Sequence, residues 1–472
     1  MFFSKNRISS EWIIFAFSAS AATYFILTGR EGLVQFIVFL IMMALVWKEI
    51  GPVIALSVLA AFIWSDRKLF NLFYTMTGPI WRDASFIEIS IYAWSVILLA
   101  FGFLKKLRGR RALIIPPYFV FLLLFLAGGI AAFILGLSDT PDKIFAWRML
   151  WKICICPLGL YFIIVNYVKT SHDGQRVLFG LIISGLVLTV FLYLLYRGGR
   201  FGGEINLGPL GSVFITYNNG SLYFGLIAAL VWSILLHAQS ILKRCVATGI
   251  MIALGLVVYA SGTRSVFVAL AIACAVVSFL RFKKSPGRWL LFSRFMIFAV
   301  FALAIVISLI SLNLIGEQGF LVLDRLQSIR SVADIYSDPN FKGRMEIYQM
   351  AMETLLHNPL GTGYQGIPMN YGLIQVHNDY LALALATGIS GLLSWLIFLG
   401  LATRRLFLTI TSKQSLSTDW VPLGVLGSMI TYIISIFFID PSMRFYPYIT
   451  FWLILSVGIA VARNSRPLKA RS

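Results

Sequence analysis

Residues 113–136 read LIIPPYFVFLLLFLAGGIAAFILG, twenty-four positions without a charged side chain. Just before them, residues 105–111 read KKLRGRR, five cations in seven positions. A bilayer core of roughly 30 Å is crossed by about 20 apolar helical residues. Lys and Arg collect on the cytoplasmic side of such helices. The pair therefore predicts a membrane-spanning helix that enters from the cytoplasm.

Working outward, the same alternation recurs along the chain. Apolar stretches lie at residues 11–28, 32–47, 50–64, 86–104, 113–136, 150–168, 177–196, 212–236, 246–260, 265–280, 295–315, 379–401, 421–439 and 445–462. That makes fourteen spans; the second and third are short enough to form one re-entrant unit, which sets the range at twelve to fourteen. The small-residue patch Ser18–Ala22 follows Lys5 and Arg7, like a signal-peptide cleavage site, but the apolar stretch runs on through Leu27. A first transmembrane helix is expected there. Composition agrees: 59% of the 472 residues are hydrophobic and 12% charged, with mean hydropathy +0.87. Ordinary soluble domains are about 25% charged. The expected fold is all-α and polytopic, a single transmembrane domain over residues 1–472.

Net charge is +20, which poses the question of a nucleic-acid partner. No basic run sits on a polar domain, so nucleic acid is excluded. With both termini cytoplasmic, 24 of the 39 Lys and Arg fall inside and 15 outside. The inside clusters are Lys5 and Arg7, Lys48, the 105–111 run, Lys169 and Arg176, Lys243 and Arg244, residues 281–294, Arg404 to Lys413 and the basic tail. They need no role beyond topology. The outside cations run against the topology rule and point to an anionic ligand. They include Arg67, Lys68, Arg82, Lys143, Arg148, Lys152, Arg197, Arg200, Arg264, Arg325, Arg330, Lys342 and Arg344.

Several of these lie in one long exoplasmic loop, residues 316–378. A loop of more than about 15 residues is functional or carries its own helices. Within it, Gly343–His357 places Met345, Tyr348, Met352 and Leu355–Leu356 at helical spacing. This predicts an amphipathic helix lying on the membrane, ended by the turn-rich Asn358-Pro359-Leu360-Gly361-Thr362-Gly363.

The topology leaves two of the four histidines, His357 and His377, outside. His357 ends the amphipathic helix, where a cation suits the helix C-terminus. His377 stands where the long loop re-enters the membrane, in Val376-His377-Asn378-Asp379-Tyr380-Leu381. Read from position alone, it is either a functional group facing an outer cavity or an interfacial histidine capped by polar neighbours. Arg264 follows the tight break Ala260-Ser261-Gly262-Thr263. There it is either a forked phosphate donor at a helix N-terminus or an arginine snorkelling to the headgroups. Arg200 lies in Arg197-Gly198-Gly199-Arg200-Phe201-Gly202-Gly203, glycines that admit a ligand or simply turn the chain. The exoplasmic aspartates are scattered, with no paired-aspartate motif, P-loop or serine nucleophile elbow. The four cysteines are read as packing residues. A site of Arg plus His follows, with no metal and no cofactor.

These residues resemble the O-antigen ligase and polysaccharide polymerase superfamily. Arg200 with its glycines resembles the first exoplasmic Arg of that family, and Ser261-Gly262-Thr263-Arg264 resembles its helix break. Gly343-Arg344-Met345 through Asn358-Pro359-Leu360-Gly361-Thr362-Gly363-Tyr364 resembles its loop stretch. His377-Asn378-Asp379-Tyr380-Leu381 with Thr387-Gly388-Ile389-Ser390-Gly391-Leu392-Leu393 resembles its most specific signature. The resemblance covers roughly residues 197–400. Thr387 replaces a family Glu, and Val376 stands where a small residue or Pro is usual.

The resemblance implies a metal-independent, inverting glycosyltransferase of the bacterial inner membrane, acting at the periplasmic face on undecaprenyl-diphosphate-linked glycans. His377, Arg264 and Arg200 would be catalytic. Arg264, Arg200, Arg344 and Asn378 would bind substrate. The expected product is an exopolysaccharide or O-antigen chain polymerised from repeat units. The close alternative is a ligase passing the glycan to lipid A–core or to a protein. Expected partners are the lipid-linked donor, the acceptor, membrane lipid, and chain-length regulator or export proteins. A flippase of lipid-linked glycan is the reading from another class; it would place its ionisable groups at the midplane in paired repeats. Here they gather at exoplasmic helix ends.

Overall fold

The structure, a computed structural model, describes residues 114–136, 143–197, 217–260, 263–283, 339–363, 366–369, 372–412, 420–439, 441–443 and 445–464. The chain divides into two compact units, one of residues 1–113 and 166–216, the other of residues 114–165 and 217–472. The described part of the first unit is mainly one long helix, α4, Ser171–Arg197, in whose first turn the Asp173 carboxylate accepts from the amides of Lys169 and Thr170 at 3.1 and 3.0 Å. The second unit holds the other elements.

These are α1 (Phe119–Gly136), α2 (Lys143–Leu150), a π-helical turn (Trp151–Ile155) and α3 (Cys156–Tyr167). Then come α5 (Tyr217–His237), α6 (Ile241–Ala260), α7 (Arg264–Phe282) and α8 (Pro339–His357). A two-stranded antiparallel hairpin follows, β1 (Gly366–Met369) and β2 (Gly372–Gln375), with Gly366 opposite Gln375 and Met369 opposite Gly372. The unit closes with α9 (Asp379–Thr411), α10 (Val421–Ser435), a 3-10 turn (Pro441–Met443) and α11 (Phe445–Asn464).

Among the described residues, six helices are long and apolar enough to cross a membrane, and two shorter apolar ones accompany them, Trp151–Tyr167 and Val421–Ser435. The protein is an all-α polytopic membrane protein. Each expected span that falls on described residues is helical. The spans expected at 11–28, 32–47, 50–64, 86–104 and 295–315 lie outside the described residues, as does Arg200. The hairpin is a feature the sequence did not predict.

The core of the second unit is α5, buried almost all round and packed on α6, α7, α10 and α11. Small residues let the backbones approach, as in membrane bundles generally. Gly424 and Gly427 of α10 leave room for Leu230, Ser233 and Ala229 of α5 and for Val277 of α7. Polar side chains then bond across the apolar interior: Ser428 Oγ to the Leu226 carbonyl at 2.8 Å, Ser233 Oγ to that of Trp420 at 2.8 Å, and Trp232 Nε1 to Ser278 Oγ at 2.9 Å. Apolar side chains are also exposed on the helices, Val268, Ile272 and Phe279 on α7 and Leu393, Leu396 and Ile397 on α9 among them. Cys245, beside Lys243 and Arg244 near the start of α6, is exposed, whereas Cys154 and Cys156 are buried.

Helix α9 has 33 residues, about 50 Å at the α-helical rise and longer than a bilayer core. It is broken at Gly388, where φ is 76° and ψ is 171°. The segment before the break is buried from Ala382 through Thr387, and exposed residues begin with Ile389. The break frees backbone groups that membrane interiors leave no water to satisfy. The loop after α8 satisfies them. Thr362 donates to the Leu385 carbonyl through its amide at 2.7 Å and its hydroxyl at 3.2 Å, and Ile389 N donates to the Pro359 carbonyl at 2.9 Å. Gly361, at φ 89°, lies so close that a Cβ there would stand 2.6 Å from Gly388 N.

Candidate active site

Within the second unit, helix direction sorts the cations. Lys243, Arg244, Arg281, Lys283 and Arg463 sit where α6 begins and α7 and α11 end. The opposite end holds the start of α7 at Arg264, the start of α9 just after His377, and the end of α10.

Helix α7 begins at Arg264, with Thr263 as an extended N-cap that contributes no side-chain capping bond. Two residues on, Val266 meets α5 at Gly225, beside Thr431 of α10. The next residue of α10, Tyr432, donates its hydroxyl to Asp379 at 3.2 Å. The start of α7, through Val266, and the His377 turn, through Asp379, therefore both pack near the end of α10.

The His377 turn is built from the four residues that follow each other in the motif. The last carbonyls of a helix have no partner within it. Those at the end of α10 are taken by consecutive residues after His377. Asn378 Nδ2 donates to Phe437 O at 3.2 Å, Asp379 N to Ile436 O at 2.9 Å, and the Tyr380 hydroxyl to Ile433 O at 3.0 Å. Asn378 is also the N-cap of α9, its Oδ1 accepting from Leu381 N at 3.2 Å. The fully buried Asp379 carboxylate accepts from Tyr432, from Ser442 N at 3.2 Å and from Ser442 Oγ. With its neighbours fixed on this side, His377 takes a left-handed backbone, φ 53°. Such a conformation in a non-glycine residue costs energy and is kept where surrounding structure over-determines it. His377 itself is half-buried, while Val376 before it is fully buried.

Arg344 lies on α8, half-buried, one turn before Tyr348 on the same helix face. That face packs on α9 through Ala351 and Leu355, against Val376, Ala384 and Leu385. The Tyr348 hydroxyl reaches the carbonyl of His377 at 3.2 Å and that of Phe437 at 3.4 Å. The structure thus brings Tyr348, His377 and Asn378 to one corner of α8, α9 and α10, with Arg344 one turn away along α8. Asn378 has both side-chain polar atoms on backbone partners, which makes it an orienting group for the turn. His357 ends α8 with Nδ1 2.8 Å from the Glu353 carbonyl.

Two residues central to the corner escaped the sequence reading. Tyr348 reads there as one apolar position of an amphipathic helix, and Asp379 as a motif position with no role of its own. A carboxylate directly after an N-cap, in a chain with few acids, was the available signal. The two departures from the family pattern are packing positions: Val376 is in the α8–α9 cluster, and buried Thr387 bonds its hydroxyl to Leu383 O at 2.8 Å. Among the described residues no group of three His, Cys, Asp or Glu could hold a metal ion.

No curated protein matches the chain. Residues 249–396 match a family described as O-antigen ligase. The match spans Arg264, Arg344, His377, Asn378 and the Gly388 break, and it stops before α10. It supports transfer of a lipid-linked glycan to an acceptor, of the ligase or polymerase type. The stretch that carries Arg264, Arg344 and the His377 motif is thus similar to the O-antigen ligase family.

Proposed function

We propose that this protein is a metal-independent, inverting glycosyltransferase that polymerises undecaprenyl-diphosphate-linked repeat units at the periplasmic face of the bacterial inner membrane. The observation that carries the proposal is His377, held in a left-handed turn inside the O-antigen ligase match. Neutral His377 accepts the proton of the acceptor hydroxyl as its oxygen attacks the anomeric carbon. The bond from that carbon to the phosphate oxygen breaks on the opposite face, and undecaprenyl diphosphate leaves with the electron pair. Arg264 and Arg200 neutralise the charge that develops on the diphosphate, and Arg344 is a further anion contact. Asn378 orients the turn. Helix α8 rests at the membrane surface, its exposed Met345, Met352 and Leu356 facing lipid.

The family description, O-antigen ligase, favours a second reading at the same site. In it the finished glycan passes to lipid A–core or to a protein.

Purified full-length protein given lipid-linked repeat units alone, in excess chelator, separates the readings. Longer lipid-linked chains are the expected product. Product formed only when lipid A–core or a protein acceptor is added establishes the ligase, and activity restored only by a divalent ion rules out the metal-independent step. His377→Ala is expected to lower turnover at least about a thousandfold while the protein inserts at normal levels; normal turnover would remove His377 from the mechanism.

A further inference from the structure

Helix α8 reaches the motif turn through a polar side chain that none of the roles above uses. Tyr348 is half-buried, its ring against the cluster of Ala351, Leu355, Val376, Ala384 and Leu385. Its hydroxyl shares one proton between His377 O at 3.2 Å and Phe437 O at 3.4 Å, distances long for a two-centre hydroxyl bond and typical of a shared one. Phe437 O is also the acceptor for Asn378 Nδ2. Three chain segments, from α8, from the turn before α9 and from the end of α10, therefore converge on two carbonyls.

The position of the first carbonyl matters. The helical bonding of α9 starts with Ala382 N on Asn378 O, and the Leu381 amide is taken by the Asn378 side chain. His377 O thus lies outside the helical ladder, and a donor there acts on the orientation of the His377 peptide. The φ of 53° leaves that peptide without the local support of a helix or strand.

We propose that the Tyr348 hydroxyl is a positioning group, which couples the long-loop helix α8 to the His377 turn and sets the aim of the imidazole. The inference rests on His377 being the proton acceptor of the proposed reaction. It makes α8 part of the catalytic assembly: the phenolic proton ties the loop helix to the peptide of the base. Displacing a reacting group by about 1 Å costs on the order of a hundredfold in rate, so a partial loosening of the turn is visible in turnover.

The test is Tyr348→Phe in the full-length protein, which keeps the ring and removes the hydroxyl. Turnover on lipid-linked repeat units, or on donor with lipid A–core if that is the acceptor, is expected to fall about tenfold or more, with KM for the donor within about twofold of the parent. The thermal midpoint in detergent is expected to stay within a few degrees. Unchanged turnover would overturn the proposal. A raised KM at full turnover would also overturn it, because the hydroxyl would then be a donor contact. So would a loss of turnover that tracks a collapse of the thermal midpoint. His377→Ala, assayed beside it, keeps the two readings apart. An inactive His377→Ala with a fully active Tyr348→Phe sinks only the tether, whereas an active His377→Ala sinks the base itself.

Discussion

A histidine with φ 53° is held at a cost of about 1–2 kcal/mol relative to the right-handed region, and glycine escapes that cost. This gives the turn a signature separable from catalysis. Both His377→Gly and His377→Ala remove the imidazole, so both are expected to be inactive. Glycine, at home in this conformation, is expected to leave the protein about 1 kcal/mol more stable than alanine does. Thermal or denaturant unfolding in detergent checks it. Equal stability of the two variants would mean that the left-handed backbone at 377 carries no strain. The histidine and its Asn-Asp-Tyr successors were legible in the sequence because residue types carry that pattern. What they dock on was not. Ile433, Ile436 and Phe437 accept through backbone carbonyls, and a carbonyl has no signature in an amino-acid sequence.

The break in α9 is the element that the sequence concealed most completely. Thr387-Gly388-Ile389-Ser390 lies inside an apolar run, and glycines are frequent in membrane helices, so nothing local distinguishes Gly388 from Gly400. Their surroundings do. A Cβ on Gly388 would stand 2.7 Å from the Leu360 carbonyl carbon and oxygen, at φ 76°, whereas a Cβ on Gly400 meets nothing within 4 Å. Gly388→Ala is therefore expected to destabilise by a few kcal/mol or prevent accumulation of folded protein. Gly400→Ala is expected to be neutral or to stabilise by up to about 1 kcal/mol. Fluorescence-detected size exclusion with thermal challenge compares the two, and equal tolerance at both positions would show that the loop at 358–363 is not latched into the break. Helix α8 was legible from its spacing and runs from Pro339 in the structure. The β1–β2 hairpin was not, because strands of four residues offer too few alternations to read.

For the molecule as a whole, the membrane setting was plain from composition, since a run of about twenty apolar residues is a signal needing no tertiary context. The helices of the second unit place Lys342 of α8 and Lys283, just past α7, toward opposite ends, both exposed. In cells with a permeabilised outer membrane, a membrane-impermeant thiol reagent is expected to label Lys342→Cys and to leave Lys283→Cys unlabelled until the cells are lysed. The native exposed Cys245, near the start of α6, gives the background. Labelling of Lys283→Cys in intact cells would reverse the orientation. The latch between the two glycine-bearing turns has one more consequence. Its bonds join Pro359 to Ile389 and Thr362 to Leu385, so the chain between them is a ring closed without a covalent link, and the His377 turn is one arc of it. The closing entropy of such a ring changes only slowly with its length. Lengthening the chain within this ring accordingly adds little to the cost of closing it. The ring holds the His377 turn by hydrogen bonds at its closure, so insertions elsewhere along it are tolerated more readily than substitutions at the latch.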